Sequence, residues 1–167
     1  ALAALTANDP TYQPGFEKAD TSLQGAVCFY GVYSFLDHLG VYPKEFTSVL
    51  LERLVMKARV RDSLEAYRAA SPIHRVHESA PPMLIVHGDR DTLAPVEYAR
   101  HFAEELRKVS TSPVLYAELA GAQHAFDVFN SPRTMRVIEG TERFLTLLHR
   151  SHVRERDDGP ARDPAPG

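Results

Sequence analysis

The stretch Pro81-Pro-Met-Leu-Ile-Val-His-Gly-Asp-Arg-Asp-Thr-Leu-Ala-Pro95 decides the architecture. Two prolines open it, four apolar residues follow without alternation, and Gly88 closes the run. A short continuous apolar run between breakers suits a strand covered on both faces, as in a parallel sheet. Gln24 to Tyr30 repeats the pattern, with Gly25 near its start and Gly31 after it, and Val114 to Leu119 repeats it between Pro113 and Gly121. Between the second and third strands, Val96, Ala99, Phe102, Ala103, Leu106 and Val109 recur at helical spacing, with Glu97, Arg100, Glu104 and Lys108 opposite and Pro95 at the first turn. That is an amphipathic helix. Ser131-Pro132 caps another, striped by Met135, Ile138, Phe144, Leu145 and Leu148. The alternation predicts an α/β fold of three parallel strands with helices on both faces.

Residues 32 to 80 exceed what a crossover needs and hold two helical stretches, near 45 to 59 and 62 to 70. They are expected to form a small cap beside a site. Ser151 to Gly167 is charged, rich in Pro and Gly, and expected to be a disordered tail. Ala1 to Leu5 reads as helix without a capping residue before it, so the chain is expected to begin inside a helix.

The composition narrows the function. The 167 residues are 44% hydrophobic with a formal net charge of -3, as suits one globular domain. Acidic and basic residues are interspersed, which disfavours nucleic acid as a partner. No apolar run approaches the roughly 20 residues of a membrane span, and no signal-peptide pattern opens the chain. The single cysteine, Cys28, excludes an internal disulfide and fits a reducing compartment, so the expected location is cytoplasmic. Cys28 sits mid-strand among apolar residues, where an inert buried thiol is expected. His74 and His77 have a chelating spacing, but no further cluster accompanies them; neither metal nor cofactor is expected.

Two segments carry chemistry: His87 to Pro95 after the second strand and Gly121-Ala-Gln-His-Ala-Phe126 after the third. Both follow the C-terminal ends of parallel strands, the edge where α/β sheets gather ligands. An Asp and a His on adjacent loops there can hydrogen-bond, so that the carboxylate fixes the imidazole tautomer. Asp89 reads as a turn residue and His87 as a packing residue at a strand end. Asp127 is expected to cap or to face solvent. Asp91 itself has a structural alternative, stabilising the turn before the helix, and His124 could hold a loop by a hydrogen bond. Tyr30, Tyr33 and Phe126 are candidates to line a substrate pocket.

Ser71-Pro72, the 80 to 91 segment, Pro95-Val96 and Gly121 to Phe126 together resemble the second half of α/β-hydrolases, especially bacterial carboxylesterases and lipases related to hormone-sensitive lipase. The likeness spans residues 1 to about 150, as the C-terminal part of such a domain. It implies Asp91 as the triad acid, His124 as the general base, and an ester, small or lipid, as substrate. In that family the serine lies upstream in a G-x-S-x-G elbow, and no G-x-S-x-G occurs in these residues. The resemblance therefore implies an N-terminal half of the same protein as partner, and a chain inactive alone. A serine peptidase of the prolyl-oligopeptidase type ends with similar motifs. A non-catalytic hydrolase-like binding module is the alternative of another class, and association with a second copy stays open.

Overall fold

The computed structural model describes residues 1–157, with side chains through Arg154. Three strands form a parallel sheet in the order β1 (Ala26–Phe29), β2 (Met83–Gly88), β3 (Val114–Leu119). Ala26 stands opposite Met83 and Met83 opposite Val114, so the C-terminal ends of all three strands share one edge. The helices are α1 (Leu2–Leu5), α2 (Leu64–Ala70), α3 (Val96–Val109) and α4 (Pro132–Asp157).

Alternation along β2 assigns the two faces. Met83 and Ile85 are fully buried with Ala99, Phe102, Ala103 and Leu106 of α3, together with Cys28 of β1. Leu84 and Val86 point the other way, where with Leu115, Ala117 and Leu119 they line a groove of about 590 Å³ beneath Val137 and Phe144 of α4. Arg100 of α3 grips Glu118 of β3 with two parallel hydrogen bonds, 2.8 and 2.7 Å. That fork-to-fork geometry is the strong form of a surface ion pair.

The segment between β1 and β2 packs a core of its own. Tyr42, Phe46, Leu51 and Tyr67 cluster on Tyr98, which belongs to α3. The Tyr98 hydroxyl lies 3.0 Å from Asp37 Oδ1 and accepts the Leu39 N–H. Buried Ser71 ties the segment's ends, accepting the Phe35 N–H at 2.8 Å and donating to Tyr67 O at 2.7 Å. Helix was expected near 45 to 59; Phe46–Val55 is wound as a π-helix, an uncommon form in which bonds close one residue later.

Two expectations are corrected. The first strand is shorter than 24 to 30, because Tyr30 adopts φ 39 and leaves the extended conformation. Tyr33 borders a cavity of about 430 Å³ together with Val27, Phe29 and Phe35. It is fully buried, its ring stacked on Phe102 at 4.4 Å under α3. Helix α4 runs to Asp157, through seven residues assigned to the tail. Those residues include Arg and Glu, good helix formers, and the breakers Gly159-Pro160 come only later. Residues 158 to 167, the rest of the expected tail, lie outside the described residues. Among the described residues no helix is long and apolar enough to cross a membrane.

Candidate active site

The site is built where the loops after β2 and β3 meet. Gly88 ends β2 and packs so closely on the second loop that a Cβ there would stand 2.3 Å from Ala122 O. Only glycine permits that approach. The loops are stitched by backbone bonds from Asp89 N to Leu119 O (3.2 Å) and Arg90 N to Ala122 O (3.0 Å). Asp89 Oδ1 accepts the Gly121 N–H at 2.6 Å, which makes Asp89 the turn residue expected, acting across two loops. Gln123 Oε1 accepts from the Thr92 N–H and hydroxyl, each at 3.3 Å.

Within this frame Asp91 and His124 come together. His124 Nδ1 lies 2.8 Å from Asp91 Oδ2. The other carboxylate oxygen, Oδ1, accepts the Leu93 and Ala94 N–H groups at 2.9 and 2.8 Å. Asp91 thus serves the turn and the histidine at once, one oxygen for each. Its side chain is fully buried, while that of His124 is 29% exposed. Burial alone pushes the Asp91 carboxyl up, yet the hydrogen bonds from His87, Ala94 N–H, His124 and Leu93 N–H outweigh it and hold the group below the usual carboxylate range. The acid is anionic at neutral pH. Its acceptor role requires a proton on His124 Nδ1, which leaves Nε2 of the neutral ring as a free acceptor.

Aromatic rings flank the histidine. Tyr30 lies against it, centroids 4.5 Å apart, and meets Phe126 edge-on at 5.6 Å. Phe29 packs on Phe126 at 5.7 Å. Tyr30 at φ 39 and Ala125 at φ 56 both hold the left-handed region, which is uncommon for such residues and clusters at functional sites. The two candidates Tyr30 and Phe126 are therefore beside His124, and Tyr33 is not.

Asp127 is half-buried and neighbours Tyr30, and its Oδ1 is buried with no hydrogen-bond partner among the described residues. Burial first, then the Asp127 carboxylate, raise the Tyr30 hydroxyl above the ordinary phenol value. No hydrogen bond joins Asp127 or Asp89 to His124 among the described residues. Sequence reasoning also missed Gln123, whose polar side chain next to the histidine was the available signal. Among the described residues no group of three or more His, Cys, Asp and Glu side chains is placed to hold a metal ion.

Known proteins share this arrangement of elements. The chain is 44% identical to a probable carboxylic ester hydrolase, LipM, of Mycobacterium tuberculosis, over 96% of its own length and 37% of that protein. It is 45% identical to the esterase LipC of the same organism, over 92% of this chain and 38% of that one. The chain thus spans under two fifths of the length of these relatives. Among solved structures, the apo form of Thermogutta terrifontis esterase 2 superposes with a TM-score of 0.65 at 23% identity, covering 87% of this chain and 50% of the other. A truncated carbohydrate esterase from gut microbiota gives 0.68 at 18% identity, covering 88% and 54%. These structural likenesses show an α/β-hydrolase fold. A family model described as BD-FAE matches residues 1–106, a span that includes Asp91 and stops short of His124. With more than half of its residues inside that match, the chain belongs to the BD-FAE family.

Proposed function

We propose that this chain supplies the acid and the general base of a carboxylic ester hydrolase, Asp91 and His124, to a serine nucleophile that lies in another part of the same protein. The observation that carries the reading is the 2.8 Å contact between His124 Nδ1 and buried, anionic Asp91 Oδ2, made between loops of adjacent strands. It sits on a fold shared with esterases, and the relatives named above are ester hydrolases.

In the proposed reaction His124 Nε2 takes the proton from the serine hydroxyl as its oxygen attacks the ester carbonyl. The imidazolium so formed is stabilised by Asp91 and returns the proton to the leaving alcohol. Water then repeats the sequence on the acyl-enzyme. Asp91 keeps the proton of the neutral ring on Nδ1, so that Nε2 is the basic atom. Tyr30 and Phe126 form the apolar wall beside the reacting centre, suited to an acyl or alcohol group.

The free edge of β1 supports a second segment of the same protein as partner. Among the described residues β1 pairs with β2 alone, and an unpaired edge offers its N–H and C=O groups to another strand. Without a serine in place, the chain by itself is inactive in this reading.

The test is to express the upstream segment separately, mix it with this chain, and follow p-nitrophenyl butyrate hydrolysis and fluorophosphonate labelling. Activity that requires both polypeptides, labels a serine of the upstream segment, and disappears with His124→Ala bears the proposal out. Association without hydrolysis favours the non-catalytic binding module. Cleavage of a peptide substrate in preference to the ester favours the peptidase.

A further inference from the structure

His87 is the last side chain of β2 before Gly88, and it is fully buried. Its Nε2 lies 2.7 Å from Ala94 O and 3.3 Å from Asp91 Oδ2. Both neighbours are acceptors, so Nε2 carries a proton. The shorter contact takes the hydrogen, and Oδ2 receives a longer secondary arm of it. On the opposite side of the ring, Nδ1 is buried with no hydrogen-bond partner among the described residues, and so is the Tyr33 hydroxyl, with the two rings 6.3 Å apart.

A residue needed only to fill space would not leave a buried nitrogen unsatisfied, since an apolar ring of the same shape avoids that cost. The use of a histidine here must lie at Nε2. That atom holds the carbonyl of Ala94, whose own N–H binds Asp91 Oδ1. The ring therefore closes the 91 to 94 turn through the Ala94 carbonyl. It also touches the very oxygen that meets His124.

We propose that His87 is a positioning residue for the acid: it clamps the Ala94 carbonyl and borders Asp91 Oδ2, and so aims that oxygen at His124 Nδ1. The proposal rests on the reading of Asp91 and His124 as an acid and base pair. It assigns His87 a role that the packing reading of the sequence did not. Burial raises the Asp91 carboxyl, and the His87 ring is the foremost of the groups that draw it back down, ahead of His124 itself.

The test uses this chain labelled with ¹⁵N-histidine and long-range ¹H–¹⁵N correlation, at a pH where His124 is neutral. The ring nitrogen shifts report which atom carries the proton, and that tautomer is set by the partner of the other nitrogen. Wild type is expected to show His124 as the Nδ1–H form. His87→Phe, which keeps the ring volume and removes the donor, is expected to lose that form in favour of Nε2–H. His87→Gln, whose amide N–H can reach Ala94 O, is expected to retain it. A folded His87→Phe chain with His124 still in the Nδ1–H form overturns the proposal. Equal loss in the Gln and Phe variants, or unfolding of both, reduces His87 to packing and overturns it as well. Asp91→Asn separates the underlying reading: if His124 lacks the Nδ1–H form in wild type, or keeps it in Asp91→Asn, the acid and base assignment itself fails, whatever His87 does.

Discussion

Replacing Asp91 by Asn exchanges one carboxylate oxygen for an NH₂ group. The retained oxygen can still accept the Leu93 and Ala94 N–H groups, now at 2.9 and 2.8 Å, so the turn persists. The NH₂ group then stands where Oδ2 did, 2.8 Å from His124 Nδ1 and 3.3 Å from His87 Nε2. Donor would face donor at both. His124 relieves its side by moving its proton to Nε2, the atom proposed to accept the serine proton. One charge-assisted hydrogen bond is lost, about 1.5–3 kcal/mol, and a neutral one partly replaces it, for a net loss of about 1–2 kcal/mol. At roughly 2–4 °C per kcal/mol for a domain of this size, Tm falls by about 2–8 °C. In the proposed reaction turnover suffers far more. The wrong tautomer in a Ser-His-Asp site costs on the order of 10⁴ in kcat, equivalent to about 5.4 kcal/mol of barrier. The assay is p-nitrophenyl butyrate hydrolysis by this chain together with the proposed upstream segment, with kcat and KM separated, beside Asp89→Asn as control. Retention of activity within tenfold in Asp91→Asn, or a larger loss in Asp89→Asn, refutes the reasoning.

Other outcomes follow from the same geometry. The chain alone should not react with a fluorophosphonate probe, and covalent labelling of any residue in 1 to 167, read by mass spectrometry, contradicts the proposed division of the site. Gly88→Ala sets a methyl group 2.3 Å from Ala122 O, so the histidine loop must shift; a drop in Tm together with loss of the His124 Nδ1–H signal is expected, and an unchanged NMR spectrum counts against the close approach. Asp89→Asn removes the charged acceptor of the Gly121 N–H and should lower stability by about 1 kcal/mol in urea unfolding, with kcat nearly kept. The folded Asp91 carboxyl sits below its unfolded value near 3.9, so its contribution is complete above that pH and is lost as pH falls toward the folded value. The stability gap between wild type and Asp91→Asn should therefore narrow between about pH 5 and pH 3, and a constant gap over that range sinks the assignment of an anionic, hydrogen-bonded Asp91.

Much of this protein is local in origin, and that part is legible in the amino-acid order. Helix α3 spans Val96–Val109 because its apolar positions recur every three or four residues, and Met83 to Gly88 is a strand because an unbroken apolar run between breakers has nowhere to go but a covered sheet. The positions of Asp91 and His124 at strand ends follow from the same reading. What short-range pattern cannot supply is direction. Asp89, Asp91 and Asp127 are equally able to bind an imidazole; the paths of two separate loops, joined through Gly88 and Ala122, bring the first to Gly121, the second to His124, and the third beside Tyr30. Tyr30 and Tyr33 look alike in sequence, yet the left-handed turn at Tyr30 separates them, one against His124 and the other under α3. The same holds for His87. Its place at a strand end is written in the chain, but its hold on Ala94 and Asp91 exists only once the 91 to 94 turn folds back over the sheet edge, because a hydrogen bond depends on distances that no spacing of residues encodes.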